Sequence, residues 1–288
     1  MVKTALLFSG QGAQYVGMGR DLYDSSSDAR QLLNELSIYN PDILRLCFES
    51  QVQELSLTIN AQPALFAVGL AGAYAWRQRH GRDPDCVAGF SLGEIPALVF
   101  GGVLGLHDGW RLVCKRAELM HNCAVVRQGT MSAIVGLDTN TVQDLVSNVR
   151  QQGQDVWCAN YNSPDQTVVS GSVEGIHSLA NLVTLKRGRL LRLNVSGAFH
   201  SPYMQDASEQ LYAWMDTLTF GEPSIPIYSN IDGQLYIKQD ARQRIANQIV
   251  GPVRWRDIML NLRQRGVTEY TEVGAGNVLT KLVSKNLT

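Results

Sequence analysis

The stretch at residues 86–94 most constrains what this chain can fold into. Its first residues are small or apolar and predict a buried strand, and a helix is expected to begin near Leu92. Ser91 lies between the two with Gly89 and Gly93 on either side, so the chain turns where side chains would not fit. A Gly-x-Ser-x-Gly turn from a strand into a helix is strained and exposes the serine hydroxyl.

Two interpretations of Ser91 follow from this turn. As a nucleophile, it would lie at a helix N-terminus, where free N–H groups can stabilise an oxyanion. As a structural residue, it would only cap the helix. The turn alone leaves both open.

The composition is that of an ordinary globular protein. The 288 residues can bury a large core, and apolar and charged residues make up 45% and 18% of them. The net charge of −1 argues against nucleic acid or a membrane surface as a partner. The apolar stretches are too short for a signal peptide core or a bilayer span. The five cysteines are scattered without a C-x-x-C pair, which predicts reduced thiols, no metal site and a cytoplasmic protein.

Strand-like and helix-like segments alternate, which predicts an α/β protein with an α/β-hydrolase-like parallel sheet. Residues 4–8 and 87–89 are short apolar runs next to glycine, typical of strands buried on both faces. Gln62 and Pro63 are expected to open a long apolar helix, with proline in its first turn. A strand, a loop entering a helix and a last strand are predicted at 225–231, 248–255 and 270–273.

The pattern changes between residues 128 and 196. A strand, a helix, two strands, a helix and a strand are predicted in turn at 131–137, 142–149, 155–159, 167–170, 173–185 and 190–195. This order is that of a ferredoxin-like unit. The sequence therefore predicts a ferredoxin-like small subdomain at 128–196, inserted into a large catalytic α/β domain formed by 1–127 and 197–288.

Arg116 is the only charge on the apolar arc of the helix that follows Asp108. Trp110 and Met120 belong to that arc, whereas the other charges of the helix cluster on the opposite face. A guanidinium among apolar residues is costly unless it is paired or faces a polar cavity. Arg116 is therefore either a structural residue, snorkelling at the edge of the arc or ion-paired, or an anion-binding residue.

Two loops carry a polar residue among small ones. Gln11 lies between Gly10 and Gly12, where the backbone can approach a ligand, although neither nucleotide-binding fingerprint is complete there. His200 is the one histidine in a small-residue loop before a proline-marked helix start. Either residue could instead belong to an ordinary surface turn, so a catalytic role needs further support.

A basic cluster lies within residues 186–192. Its four members are Lys186, Arg187, Arg189 and Arg192. A solvated turn is the usual explanation of such a cluster. The alternative is a docking patch for an acidic partner.

The order and spacing of these motifs resemble one family, the malonyl-CoA:acyl carrier protein transacylases and the related acyltransferase domains of polyketide synthases. The resemblance runs nearly from end to end. The motifs that carry it are Gly10-Gln11-Gly12-Ala13-Gln14, Gln62-Pro63-Ala64-Leu65, Ser91-Leu92-Gly93-Glu94, Arg116 with Met120, Asn162-Ser163-Pro164, Phe199-His200-Ser201, Gln248 before Pro252-Val253, and Glu272-Val273-Gly274.

The resemblance implies a two-step acyl transfer. Ser91 would attack an acyl-CoA thioester with His200 as general base, and the backbone carbonyl of Gln248, not a carboxylate, would orient that base. The backbone N–H groups of Gln11 and Leu92 would hold the oxyanion. The phosphopantetheine thiol of an acyl carrier protein would then accept the acyl group as His200 returns the proton.

The resemblance also implies an acyl pocket. Arg116 would make a two-pronged pair with the free carboxylate of malonyl, with Met120 and Asn162 as further substrate-binding residues. Phe199 resembles malonyl-selective members, because a bulky ring leaves little room for an α-methyl branch. Phe90 departs from the family, which usually has histidine there, and the exchange removes a polar group beside the pocket. Malonyl is the expected acyl group, and an unusual extender unit for a specialised pathway is the alternative.

These features together predict a monomeric enzyme with malonyl-CoA as substrate, an acyl carrier protein as acceptor, and no bound cofactor or metal. The basic cluster would dock the carrier protein. A serine esterase or thioesterase would share Ser91 and His200, but it would not need Arg116 and would more often pair its histidine with a carboxylate. A non-catalytic carrier-docking protein would not need these three residues.

Overall fold

The structure of the chain is a computed structural model that describes residues 2–287. This part of the chain forms two four-stranded sheets. Their strands are, in chain order, β1 (Thr4–Phe8), β2 (Cys86–Gly89), β3 (Thr130–Val135), β4 (Val156–Ser163), β5 (Gln166–Gly171), β6 (Arg189–Arg192), β7 (Ile227–Tyr228) and β8 (Glu269–Val273).

Helices cover both sheets. The α-helices are α1 (Arg20–Ser25), α2 (Ser27–Tyr39), α3 (Ile43–Phe48), α4 (Val52–Ser56), α5 (Thr58–His80), α6 (Glu94–Phe100), α7 (Leu106–Val126), α8 (Thr139–Gln151), α9 (Val173–Leu185), α10 (Gln205–Trp214), α11 (Ala241–Val250), α12 (Trp255–Gln264) and α13 (Val278–Leu287). Short 3-10 helices cover Ser91–Gly93, Pro202–Met204, Met215–Thr217 and Lys238–Asp240. Among the described helices, none has the length and apolar character that a bilayer crossing requires.

The first sheet is parallel, with strand order β7-β2-β1-β8. Successive residues of β1 point to opposite faces. Leu6 and Phe8 pack in the cluster that holds α5, α6 and α7, whereas Ala5 and Leu7 pack in the cluster that holds α12 and α13. The sheet is therefore buried on both faces, and the predicted α/β class is confirmed.

The second sheet is antiparallel, with strand order β4-β5-β3-β6. The elements follow one another as β3-α8-β4-β5-α9-β6, and the two helices share a buried apolar cluster with one face of the sheet. This is the predicted ferredoxin-like arrangement. All six elements fall within residues 128–196.

The long helix α5 begins earlier than predicted. It starts at Thr58, whereas the prediction placed its start at Gln62. Pro63 therefore lies in the second turn, where it removes the N–H that would bond the carbonyl of Ile59. The helix continues through this position because almost every following residue up to Trp76 is buried against neighbouring elements.

Two predictions near the C-terminal end were wrong. The strand predicted at 225–231 is only two residues long, because Ser229 leaves the ladder and bonds the carbonyl of Gln234 at 2.8 Å. Gln248 was placed in a loop but lies in the last turn of α11. This second correction matters for function, because the carbonyl groups at a helix C-terminus lack partners within the helix.

Boundaries in the small subdomain also differ from the predicted ones. β4 runs on to Ser163, beyond its predicted end at residue 159, so only Pro164 and Asp165 connect it to β5. β6 ends at Arg192 and does not reach the predicted end at residue 195.

Candidate active site

Ser91 follows directly after β2 and Phe90, in a left-handed backbone conformation with φ of 51°. The turn is too tight for side chains at its two glycines. A Cβ atom on Gly89 would lie 2.0 Å from the carbonyl carbon of Gly93, and one on Gly93 would lie 2.2 Å from the carbonyl oxygen of Phe8. The geometry is that of a nucleophile elbow, as the Gly-x-Ser-x-Gly pattern predicted.

A buried asparagine fixes this turn from the loop after β7. The Ser91 N–H donates to Asn230 Oδ1 at 2.7 Å, and Asn230 Nδ2 donates to the carbonyl of Gly89 at 2.6 Å. Asn230 is fully buried. No role was predicted for Asn230, since nothing near it in the sequence indicates a contact with Ser91.

His200 lies against Ser91. Its Nε2 is 2.7 Å from Ser91 Oγ, and its Nδ1 is 2.8 Å from the carbonyl oxygen of Gln248 and 3.2 Å from that of Gly251. Its backbone N–H donates to the carbonyl of Ile249 at 3.1 Å. Because carbonyls only accept, Nδ1 carries the proton and Nε2 presents its lone pair to the serine hydroxyl.

The surroundings of His200 keep it neutral. Burial lowers the pKa of His200 to about 4, and the positive charge of Arg116 lowers it too, while the bonds to the carbonyls of Gln248 and Gly251 oppose this shift. The imidazole can therefore accept the proton of Ser91 at neutral pH. Within residues 2–287, neither ring nitrogen of His200 contacts a carboxylate.

Arg116 projects from α7 into the same site and is 1% exposed, so it does not snorkel to the surface. Nη1 donates to Gln62 Oε1 at 2.6 Å, and Nη2 donates to Gln248 Oε1 at 2.9 Å and to Ser91 Oγ at 3.3 Å. Its buried Nε has no hydrogen-bond partner in the described part of the chain. Burial lowers the pKa of Arg116 to about 10, so the guanidinium stays charged at neutral pH.

Gln62, in the second turn of α5, connects two predicted pocket residues. Its Oε1 holds Arg116, and its Nε2 lies 3.6 Å from Met120 Sδ. Gln62 is fully buried and Met120 is 2% exposed. Gln62 was predicted to open the helix and belongs to one of the motifs that carry the family resemblance, but no contact with the site was predicted for it. A polar side chain directly before the buried run at 63–73 was the available signal.

Glu94 is a second residue to which the sequence analysis gave no role. It is fully buried in the first turn of α6, where Oε1 accepts from the Asn230 N–H at 2.8 Å and Oε2 accepts from Gln248 Nε2. Burial raises the pKa of Glu94 to about 7, and the bonds from Asn230, Tyr236 and Gln248 and the charge of Arg116 oppose this shift. The signal was present: Glu94 is the one charge of α6, whose other residues are apolar, as Arg116 is the one charge on the apolar arc of α7.

The two predicted oxyanion donors lie on segments next to Ser91. Leu92 is the second residue of the 3-10 helix Ser91–Gly93, where an N–H has no partner within the helix. Gln11 is the second residue of a turn closed by a bond from the Ala13 N–H to the Gly10 carbonyl at 3.3 Å, which leaves the Gln11 N–H outside the turn bond. A Cβ on Gly10 would lie 2.4 Å from the carbonyl oxygen of Phe90, so this turn touches the nucleophile elbow.

The two phenylalanines lie on different sides of the sheet. Phe199 is buried in the same apolar cluster as Met120, on the side of Arg116. The ring of Phe90 packs edge-on against Trp255 at 5.4 Å between centroids, in the cluster on the other face. Phe90 was expected to border the acyl pocket, whereas in the structure its ring packs on the opposite face of the sheet from Arg116.

Asn162 and the basic cluster are not brought to Ser91. Asn162, at the end of β4, is buried, and its carbonyl accepts from Asn286 Nδ2 of α13 at 2.8 Å. The basic cluster follows α9 and continues along β6, the edge strand of the antiparallel sheet. Its four side chains are exposed, and among the described residues none of them forms an ion pair.

No group of three or more His, Cys, Asp or Glu residues within 2–287 is arranged to hold a metal ion. The chemistry of the site rests instead on a hydroxyl, a neutral imidazole, a buried cation and free backbone N–H groups. Such a set can form and break an ester while it holds an anionic group.

Comparison with known proteins agrees with this chemistry. The model of the acyl transferase domain family matches residues 5–288. A malonyl CoA-acyl carrier protein transacylase of Bacillus subtilis (strain 168) is 37% identical over 289 residues, which cover 99% of this chain and 90% of the relative. A polyketide biosynthesis malonyl CoA-acyl carrier protein transacylase of the same organism is 36% identical, with 97% of this chain and 95% of the relative covered.

Solved structures give the same picture. An acyl carrier protein S-malonyltransferase from Vibrio cholerae superposes with a TM-score of 0.94 at 32% identity, covering 99% of this chain and 94% of that one. A type II PKS acyl-carrier protein in complex with its malonyl-transacylase matches with a TM-score of 0.94 at 32% identity, covering 99% of this chain and 93% of that one.

Proposed function

Because the chain belongs to the acyl transferase family, we propose that it moves a malonyl group from CoA to the phosphopantetheine thiol of an acyl carrier protein, through an ester on Ser91. The observation that carries this proposal is the contact between Arg116 Nη2 and Ser91 Oγ at 3.3 Å. It puts a buried cation beside the atom that would hold the acyl group.

In the first step, Ser91 Oγ attacks the thioester carbon of malonyl-CoA. Its proton passes to His200 Nε2, which lies 2.7 Å away. The N–H groups of Leu92 and Gln11 stabilise the oxyanion of the tetrahedral intermediate. The carbon–sulfur bond then breaks, the CoA thiol leaves with the proton from His200, and the malonyl ester of Ser91 remains.

In the second step, the thiol of the carrier's phosphopantetheine attacks the ester carbon. His200 takes the thiol proton and returns it to Ser91 Oγ as the ester bond breaks. The products are the malonyl thioester of the carrier and the free enzyme. The roles of Gln248 and Gly251 are the same in both steps: their carbonyls stabilise the imidazolium that forms on His200.

Arg116 selects the donor in this proposal. The free carboxylate of malonyl becomes an acceptor for the guanidinium, and charge-assisted bonds in a buried site favour it over an uncharged acyl group. Gln62 and Gln248 hold Arg116 in place with neutral acceptors, so they leave its charge unneutralised. Met120 and Phe199 line the apolar part of the pocket, and Asn162 is a more distant substrate contact.

Two alternatives remain within this chemistry. An unusual extender unit in a polyketide pathway would use the same steps with a different acyl group, and one relative named above carries a polyketide role. A serine esterase or thioesterase would transfer the acyl group to water. The carbonyl-oriented His200 and the buried Arg116 favour transfer of a carboxylated acyl group over simple hydrolysis.

The partners and surroundings complete the proposal. The exposed basic cluster, from Lys186 through Arg187 and Arg189 to Arg192, would attract an acidic carrier protein. CoA thioester enters as a substrate, no cofactor or metal is bound, and the enzyme works as a cytoplasmic monomer.

Intact-protein mass spectrometry tests the function directly. The protein is mixed with malonyl-, methylmalonyl- and acetyl-CoA in turn, and a carrier protein with its phosphopantetheine arm is then added. We expect the mass of malonyl on the wild type, none on Ser91→Ala, and its transfer to the carrier. Rapid hydrolysis of malonyl-CoA with no labelled carrier would refute transfer, and a larger added mass would point to another extender unit.

A further inference from the structure

Each oxygen of the buried Glu94 carboxylate accepts a hydrogen bond from a residue that also bonds Ser91. Oε1 accepts from the Asn230 N–H, and the Asn230 side chain accepts from the Ser91 N–H. Oε2 accepts from Gln248 Nε2, which also donates to the Ser91 carbonyl at 2.8 Å. The backbone N–H of Ser91 is thus connected to the Glu94 carboxylate through Asn230, and the backbone carbonyl of Ser91 is connected to it through Gln248.

We propose that Glu94 and Asn230 are positioning residues for acyl transfer, which hold Ser91 in its left-handed conformation and fix the orientation of the Gln248 side chain. The proposal rests on the transfer through Ser91 described above. Neither residue touches the reacting atoms, because Glu94 contacts only Asn230 and Gln248 among these groups, and Asn230 bonds only backbone atoms of the elbow.

The need for such a support follows from the backbone. A non-glycine residue with positive φ has a strained backbone, so Ser91 would relax unless its N–H and carbonyl were held. Asn230 bridges the turn, since it accepts from Ser91 and donates to the carbonyl of Gly89. These bonds keep Ser91 Oγ directed at His200.

Glu94 also helps to orient the amide of Gln248. A guanidinium only donates, so Gln248 Oε1 must face Arg116, from whose Nη2 it accepts at 2.9 Å. The NH₂ group of Gln248 then faces Glu94, whose Oε2 accepts from it and holds the amide in this orientation. A reversed amide would present NH₂ to the guanidinium, and that contact would be repulsive. One buried carboxylate therefore supports both the nucleophile and the anion-binding arginine.

The test uses the reactivity of Ser91 toward phenylmethylsulfonyl fluoride, a serine reagent that carries no carboxylate. Glu94→Gln keeps the shape but offers NH₂ to one of two donors, and Asn230→Asp keeps the acceptor for Ser91 but loses the donor to Gly89. For each variant, mass spectrometry gives the fraction of chains labelled and the rate constant of labelling.

Matched controls are Glu272→Gln, which also removes a carboxylate that accepts from backbone N–H groups, and Asn261→Asp, which also removes an amide donor to a backbone carbonyl.

We expect both site variants to label completely, at rate constants lowered roughly tenfold or more, and both controls to match the wild type. For Asn230→Asp the malonyl transfer should lose kcat with little change in KM for malonyl-CoA, because Asn230 does not contact Arg116. A residue needed only for folding would lower the labelled fraction and leave the rate constant of the labelled chains unchanged.

Complete labelling of both variants at the wild-type rate would overturn the proposal, as would a lowered labelled fraction with a normal rate constant. If Glu94→Gln fails to fold, Asn230→Asp decides. If the wild type reacts with the sulfonyl fluoride but transfers no malonyl, the proposed function fails, while the comparison of labelling rates still tests the positioning role.

Discussion

Ser91 Oγ lies 2.7 Å from His200 Nε2, and both residues have left-handed backbones, with φ of 51° and 58°. Each conformation is unfavourable for a residue with a side chain, and such strain persists at functional sites only where the surroundings enforce it. For Ser91 the surroundings are two tightly packed glycines and Asn230. For His200 they are the carbonyls at the end of α11.

Removal of the base should slow the chemistry and leave donor binding in place. His200→Ala is expected to lower the single-turnover rate of malonyl–Ser91 formation by roughly 10²- to 10⁴-fold, the usual contribution of a general base. Binding of malonyl-CoA, measured by calorimetry on the Ser91→Ala background, should change little. His177→Ala, on a helix of the small subdomain, is the control. A loss below threefold would exclude His200 as the base.

The titration of His200 should lie well below that of an ordinary histidine. Its pKa is lowered to about 4 by burial and by Arg116, so the imidazole stays neutral from pH 8 down through 6.5 and gains its proton only as the pH falls toward about 4. Imidazole-carbon NMR of the five histidines, with His200→Asn to assign the signal, measures this. A signal of His200 that titrates near pH 6.5 would contradict the buried, neutral base.

The charge of Arg116 can be tested through the same signal. Its replacement by Gln removes the second cause of the shift, so the pKa of His200 should rise toward its ordinary value. An unchanged titration in Arg116→Gln would show that the guanidinium does not act on the base.

Donor selection should depend on Arg116. Arg116→Ala is expected to lower kcat/KM for malonyl-CoA by about 10- to 100-fold relative to acetyl-CoA, the loss of one or two charge-assisted bonds. Arg116→Lys keeps a charge but loses the planar fork, so it should recover only part of the malonyl preference. The ratio of the two donors within each variant cancels any loss of folded protein. Equal losses for both donors would make the role of Arg116 structural.

The nucleophile elbow should tolerate no side chain at Gly93. Gly93→Ala would put a Cβ 2.2 Å from the carbonyl oxygen of Phe8, a backbone atom that cannot move aside, so we expect a loss of at least about 2 kcal/mol in the free energy of unfolding. Gly69→Ala is the control, because a Cβ there makes only ordinary contacts at 3.5 Å or more within a helix. Urea denaturation compares the two. Equal stability of both variants would contradict the packing described here.

Carrier docking at the basic cluster predicts a selective effect of charge reversal. The double variant Arg189→Glu, Arg192→Glu should raise the KM for the carrier protein several-fold, and more so at low salt. The formation of malonyl–Ser91 should stay unchanged, because β6 pairs with β3 in the antiparallel sheet and not with the strands that carry Ser91. Arg79→Glu, an exposed arginine on α5, is the control for net charge. A carrier KM that stays at the wild-type value would leave these residues as a solvated surface.

Local sequence predicted the parts of the site that local physics dictates. The glycines around Ser91 mark the tight turn, and the periodicity of α7 marks Arg116 as a charge among apolar residues. The contacts of Gln62, Glu94 and Asn230 with the site were not predicted, because amide and carboxylate contacts between distant segments leave no periodic pattern in the sequence. The bond between Ser91 and Asn230, for example, spans 139 residues.

The misplaced elements have related causes. The strand predicted around Ile227 is short because Ser229 bonds the carbonyl of Gln234 and leaves the ladder, and this contact is invisible in the apolar run itself. Gln248 reads as a loop residue beside Gly251 and Pro252, yet the helix reaches it before those breakers act. The direction of the Phe90 ring depends on which face of the sheet it meets, which only the assembled strands determine.

The carbonyl groups that orient His200 affect how an anionic substrate can enter the site. A histidine partnered by aspartate would place a full negative charge beside the acyl group, whereas the C-terminal end of α11 contributes only partial charges. The Glu94 carboxylate bonds the amide of Gln248 and not the imidazole of His200. An acyl donor that itself carries a negative charge can therefore enter the site without meeting a carboxylate on the catalytic histidine.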